Sequence, residues 1–368
     1  MSERAVRRLL DATPVDEDAE ARAWAIVQAA HAAREPVPRR PRMRAVLVLA
    51  AIAIAIAAAA LSPPGRAIVH AVRKSIGIAG AQPALFRLPT PGRVLVSGPG
   101  GTWVVAADGS KRRLGDFREA SWSPHALYVL AASRDELAAL EPNGKVHWTL
   151  ARNDIRFPRW GGSRTDTRVS YLSQGRLHVV GGNGVGDVAL GEAAPVPPVW
   201  QPGARHVLAY LTASGRLTVL EGDGHRIRFS ALPTPEPRAL AWSPDGGTLV
   251  LATRTRIVVY NVETTHQQAF PIAGVGAVTF APDGTLTLLR GRTVLELRNG
   301  VVRTLFTAPG SLAGLTWSPD GRWLLTSLPA ADQWVFLQRG GGRRVLAVSH
   351  LRAQFGGMPA LDGWVPGA

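Results

Sequence analysis

The chain of 368 residues contains no cysteine. That excludes disulfides, thiolate metal sites, a cysteine nucleophile and an acylated cysteine anchor. Lysine is nearly missing: Lys74, Lys111 and Lys145 are the only three, so arginine carries almost all of the basic charge. Basic side chains outnumber acidic ones 42 to 27, a net charge of +15. Such an excess can draw a protein to nucleic acid, anionic lipid or acidic polymer. Here the arginines are scattered and no arginine-rich run lies beside stacking aromatics. The bias therefore reads mainly as the mark of a GC-rich coding sequence, and no nucleic-acid partner is expected.

Catalytic signatures are missing as well. The nine histidines include no pair at metal-binding spacing and no H-E-x-x-H. There is no G-x-S-x-G elbow and no Walker loop. Gly181–Asp187 (G-G-N-G-V-G-D) is similar to a dinucleotide loop and to a calcium-binding glycine repeat. It fits neither spacing, occurs once and sits between strands, so it reads as a hairpin. No catalytic residue, metal or cofactor is assigned, and the chain is not expected to be an enzyme.

What the chain does contain is a recurring pentapeptide. W-S-P-D-G occupies Trp242–Gly246 and Trp317–Gly321. Weaker copies are W-S-P-H from Trp122, W-Q-P-G from Trp200 and F-A-P-D-G from Phe280; Trp160 and the D-G-W ending at Trp364 extend the series. Successive anchors lie 38, 40, 42, 38, 37 and 47 residues apart. A period near 40, with short alternating strands on both sides of each turn, is the signature of β-propeller blades. Asp245, Asp283 and Asp320 recur at the same turn position, where an Asp side chain bonds its own backbone and Gly takes a positive φ. We assign them, with the aromatic anchors, to architecture.

Blade counting gives an all-β, seven-bladed propeller, with six blades as the alternative because residues 155–200 are the least regular. Six blades start near residues 118, 156, 196, 238, 277 and 313. The seventh is composite: three strands over 93–114 lack an anchor, and the anchor strand ending at Trp364 lacks followers. Joined, they close the ring and remove two sheet edges.

The W-S-P-D-G turns resemble the repeats of TolB-type, WD-like propellers over roughly residues 90–365. The resemblance implies fold more than function. The Trp-Asp dipeptide of WD repeats is absent, and their Gly-His pair occurs once, at Gly224-His225. Leu140–Trp148 is similar to the tryptophan motif of quinoprotein propellers. Those proteins repeat it around the ring and this chain does not, so no quinone is expected.

Ahead of the repeats the composition changes. Residues 45–61 form an uncharged apolar run of 17, at the short end of what spans a bilayer as a helix. Five arginines just before it and three basic residues just after favour a cytoplasmic N-terminus. A cleaved signal peptide is the rival reading. The 44 preceding residues exceed a usual n-region, so an uncleaved anchor is preferred. The expected organisation is a cytoplasmic helical segment over 1–43, a transmembrane helix over 44–61, an amphipathic helix and linker over 62–90, and the propeller over 91–368. This places the chain in a bacterial cytoplasmic membrane as a single-pass protein with the propeller outside.

The functional expectation follows from that topology: a binding or sensing module whose propeller face meets a protein or cell-envelope ligand. A cytoplasmic partner would bind residues 1–43, as in membrane-bound anti-sigma regulators. The contrasting expectation is an envelope hydrolase or lyase with catalytic residues from several blades. Arg254, Arg256, Arg290 and Arg292 fall near strand connections and form a candidate anion-binding rim.

Overall fold

The computed structural model describes residues 87–203, 205–221, 226–233, 236–340 and 344–367, without the side chains of Leu232 and Pro233. Residues 1–86 lie outside the described residues, and with them the expected cytoplasmic helices, the apolar run and the amphipathic helix. Among the described residues no helix is long and apolar enough to cross a membrane.

Twenty-eight strands among the described residues form seven four-stranded antiparallel sheets. Strands β1 (Arg93–Gly98), β2 (Gly101–Ala106) and β3 (Lys111–Gly115) come first. Six blades in unbroken chain order follow: β4–β7 over 119–151, β8–β11 over 155–192, β12–β15 over 199–233, β16–β19 over 237–270, β20–β23 over 275–307 and β24–β27 over 313–349. The last strand, β28 (Ala360–Val365), pairs with β1 and completes the composite blade, in the order β28-β1-β2-β3. The first strands of successive blades touch one another around the whole ring, β28 meeting both β24 and β4. The stretch over 155–200 that read as irregular forms a full blade. We number the composite sheet blade 1 and the others 2 to 7 in chain order.

Period-2 alternation builds the core. Sheets stand face to face, so successive residues of one strand enter opposite seams. Val94 and Val96 pack toward blade 7, while Leu95 between them packs toward blade 2. Leu249 and Leu251 face blade 4, and Val250 and Ala252 face blade 6. Seven separate apolar clusters result, one per seam. Burial on both faces explains strands that read as continuous apolar runs, such as VLAA at 129–132.

The anchors fill these seams. Trp122, Trp160, Trp200, Trp242, Trp317 and Trp364 are all buried, each against the preceding blade, and Phe280 packs there half-buried. Trp242 Nε1 donates to the Val199 carbonyl at 3.1 Å, and Trp317 Nε1 to Thr287 Oγ1 at 3.1 Å. In the turn, Ser243 Oγ accepts from Thr248 N–H at 2.9 Å and donates to Asp245 Oδ1, which also accepts from Gly247 N–H at 3.0 Å. Ser318 and Asp320 repeat this arrangement, and Asp283 accepts from Thr285 N–H.

One element was not anticipated. The connection from blade 7 to β28 carries a short helix, α1 (Leu351–Phe355). Leu351 and Phe355 are buried in the seam between blades 7 and 1, with Phe355 against Trp103 and Trp334.

Candidate functional site

Strand order sorts the loops by face. Within a blade the chain reverses at each turn, so first-to-second and third-to-fourth connections emerge on one face. Second-to-third and blade-to-blade connections emerge on the other. The W-S-P-D-G turns belong to the first kind, which we term the repeat-turn face.

The four predicted rim arginines lie on the opposite face, in neighbouring turns. Arg254 and Arg256 bracket the turn between the second and third strands of blade 5, and Arg290 and Arg292 that of blade 6. The loop between those blades joins them: Gly274 N–H donates to the Arg254 carbonyl at 2.9 Å, and a Cβ on Gly274 would lie 3.7 Å from Arg290 Cγ. All four side chains are exposed. They are not equivalent, because Arg254 Nε is 2.7 Å from Glu236 Oε2, which also draws Arg238. Surface pairs of this kind contribute under about 1 kcal/mol and are screened by salt.

Three charged residues sit on the inner strands of three adjacent blades. They are Asp362 on β28, Glu119 on β4 (Glu119–Trp122) and Arg159 on β8 (Ile155–Gly162). Bulges position two of them. The register of β28 against β1 slips beside Leu95, leaving Asp362 as the unmatched residue. That of β8 slips between Arg156 and Arg159, where Phe157 adopts a φ of 53°. A bulge re-aims a side chain that strict alternation would send into a seam. Glu119 Oε2 accepts from Phe157 N–H at 2.5 Å, and its Oε1 lies 3.4 Å from Arg156 Nε. Arg159 Nη1 donates to the Pro158 carbonyl. Burial pushes the Asp362 carboxyl up to about 7; the Ser97 hydroxyl and Arg159 oppose the rise and the Glu119 charge adds to it. Burial also lowers the pKa of Arg159. Asp362 Oδ2 is buried without a hydrogen-bond partner.

The seam between blades 2 and 3 carries a groove on each face. On the face opposite the repeat turns, a groove of about 580 Å³ is bordered by Arg152, Asn153, Gln174, Arg176 and His178. A partly buried network lies against it. Arg152 Nε and Nη2 both donate to Asp187 Oδ2, at 2.9 and 2.7 Å, and His178 Nδ1 lies 3.4 Å from the same oxygen. The Asp187 side chain is only 8% exposed. Tyr171, opposite His178 in the register of blade 3, stacks on its ring at 5.0 Å. Burial, with Asp187 nearby, raises the Tyr171 pKa, and the hydrogen bond to Asp187 raises that of Arg152.

On the repeat-turn face, a groove of about 520 Å³ is lined by Tyr128, His147, Trp148, Trp160, residues 165–168 and residues 181–183. Tyr128 stacks on Trp160 at 5.8 Å and meets His147 edge-on at 4.7 Å. Trp148 Nε1 donates to the Gly182 carbonyl at 2.8 Å. This contact accounts for the glycine run. A Cβ on Gly182 would come within 1.8 Å of Thr167 Oγ1, and one on Gly184, whose φ is 80°, would come within 2.9 Å of the Trp148 ring. The segment that read as a hairpin is one; Gly184 permits close approach of Trp148 from blade 2, and Gly182 that of Thr167 within blade 3.

Sequence reasoning singled out the rim arginines but no part of these constellations as a site. Arg159, Glu119 and Asp362 come from three blades, and Arg152, His178 and Asp187 from two. No local spacing marks them. Among the described residues, no group of three His, Asp or Glu side chains is arranged to hold a metal ion.

The chain matches no described protein family and no curated protein. Solved structures match its fold. A candidate 6-phosphogluconolactonase of Bacteroides uniformis is 14% identical with a TM-score of 0.55, over 75% of this chain and 100% of that one. The WD40 domain of Neurospora crassa Pan2 is 11% identical with a TM-score of 0.52, over 67% and 86%. A streptogramin B lyase is 12% identical with a TM-score of 0.51, over 73% and 89%. At such identities the likeness concerns fold alone. The fold suits a binding or scaffold module, and it also carries enzymes.

Proposed function

We propose that the chain is a binding module whose propeller presents one face to a protein or cell-envelope ligand. Its TolB-like repeats would lie outside a bacterial cytoplasmic membrane, anchored through residues 44–61. Residues 1–43 would offer a docking segment to a cytoplasmic partner, so that occupancy outside is reported inside. One observation carries the binding reading: the recurring residues are consumed by turns and seams, while mostly non-recurring side chains line the two grooves between blades 2 and 3.

The test uses the full chain in its host membrane. Protease added to intact spheroplasts should digest the propeller, and protection until lysis would overturn the topology. Incubation of the full chain with solubilised envelope material should retain a component. Retention of nothing would overturn the binding reading.

A second reading, an envelope enzyme, is favoured by the Asp187–His178 contact. The contact, 3.4 Å and not a hydrogen bond, sets a carboxylate and an imidazole side by side at a groove, the pair of group types that general acid–base catalysis uses. Turnover of an envelope component that is lost in His178→Gln would support it. Binding of that component without turnover, equal in the wild type and the variant, would remove it.

A further inference from the structure

We propose that the groove on the repeat-turn face between blades 2 and 3 is a saccharide-binding site. The inference rests on the reading of the propeller as a binding module and names the ligand class that this module takes.

The groove has the size of a small-molecule site and a mixed wall of aromatic rings and convergent polar groups. A sugar ring needs that mixture. Its C–H faces pack on aromatic or aliphatic surface, and its hydroxyls need closely spaced donors and acceptors. The aromatic side is Tyr128, His147 and Trp148, of which Tyr128 and Trp148 are half-buried and His147 is exposed. The polar side is Thr165, Asp166 and Asn183. Trp160 belongs to the same wall at 8% exposure; its indole Nε1 is buried without an acceptor, as are those of the anchors Trp122, Trp200 and Trp364, whereas those of Trp242 and Trp317 bond to the preceding blade.

Among the described residues, seven large apolar side chains are exposed, and four of them, Leu127, Val146, Val185 and Val188, are close in sequence to residues of the groove wall. A purely apolar partner would leave Asp166, Thr165 and Asn183 without solvent or ligand, at a cost. Fixed charges of both signs, Asp166 and Arg168, already pair with each other, at 2.5 Å, so the site presents no strong net charge. A neutral, hydroxyl-rich ligand with one apolar face satisfies both sides.

The test is binding of the full chain to an array of defined oligosaccharides, followed by calorimetry on those retained. Thr165, exposed in the wall, is changed to Trp to fill the groove, and Tyr128→Ala removes an aromatic face. Thermal melting and circular dichroism establish that both variants fold. The expected result is that at least one oligosaccharide binds and that each folded variant loses at least tenfold in affinity. Tryptophan fluorescence of the wild type should shift on saturation and stay unchanged in Thr165→Trp. No binding to any saccharide, or equal binding by the folded variants, overturns the site. If envelope material is still retained by the full chain in that case, the saccharide inference fails and the module reading stands. If nothing is retained, both fail.

Discussion

Trp364 in the last strand lies opposite Val94 in the first, within one antiparallel pair. Its indole is 6% exposed in the seam between blades 7 and 1, edge-on to Phe336 at 5.8 Å. This pair closes the ring, so a local defect there opens an edge that other blades do not have.

Trp364→Ala should therefore destabilise the propeller by about 3–5 kcal/mol, the usual cost of emptying a buried tryptophan site. Trp364→Phe should recover part of that loss. Urea unfolding followed by circular dichroism reads both. A loss below about 1 kcal/mol in Trp364→Ala would mean that β28 does not bear on ring stability.

Asp362 makes stability depend on pH near neutrality. Its folded-state pKa is raised to about 7 by burial, above the unfolded value near 3.8. Between these values the folded protein binds more protons than the unfolded chain. Stability from this group thus falls as pH rises through that window and stays low above about 7. Asp362→Asn should flatten the decline, with the largest gain over wild type at pH 8. Urea midpoints at pH 5, 6, 7 and 8 provide the comparison. Parallel profiles for the two proteins would contradict the assignment.

Arg152 and Asp187 should couple strongly. Removing the guanidinium in Arg152→Ala leaves a carboxylate at 8% exposure with both hydrogen bonds to Oδ2 gone and only His178 beside it, at a cost of about 2 kcal/mol. Asp187→Asn in the same background should restore part of that loss, because a neutral amide is less costly to bury. A double-mutant cycle measures the coupling, expected at about 1–2 kcal/mol. Additive single changes would show that the contact holds nothing together.

The blades were legible because their requirements are local. Pro, Asp and Gly in one turn, an aromatic before it and alternating strands after it are each set by backbone geometry within ten residues. The chemistry was legible only in part. Arg254, Arg256, Arg290 and Arg292 could be anticipated on one face, since each flanks a turn of the same kind. Tyr128 and Trp148 carry no such mark: Tyr128 follows an ordinary repeat turn, and Trp148 sits in a single copy of a motif that other propellers repeat. Gly182 and Gly184 drew attention for ligand-like spacing, whereas their role is to let Trp148 and Thr167 approach the backbone.

The sequence by itself determined the propeller repeat, the order of its blades and their closure by β1 with β28, because turn residues and strand periodicity act over short stretches; the structure decided for seven blades over six by forming a full sheet from 155–192. The tertiary structure alone decided which residues share a groove. Asp362, Glu119 and Arg159 come from three blades into one another's electrostatic range, with bulges beside Asp362 and Arg159. Trp148 reaches the Gly182 carbonyl, and Tyr128 shares a groove with the 181–183 turn, only because sheets pack face to face. Contacts between blades depend on how sheets stack, and a pattern that repeats along the chain carries no record of which neighbours differ.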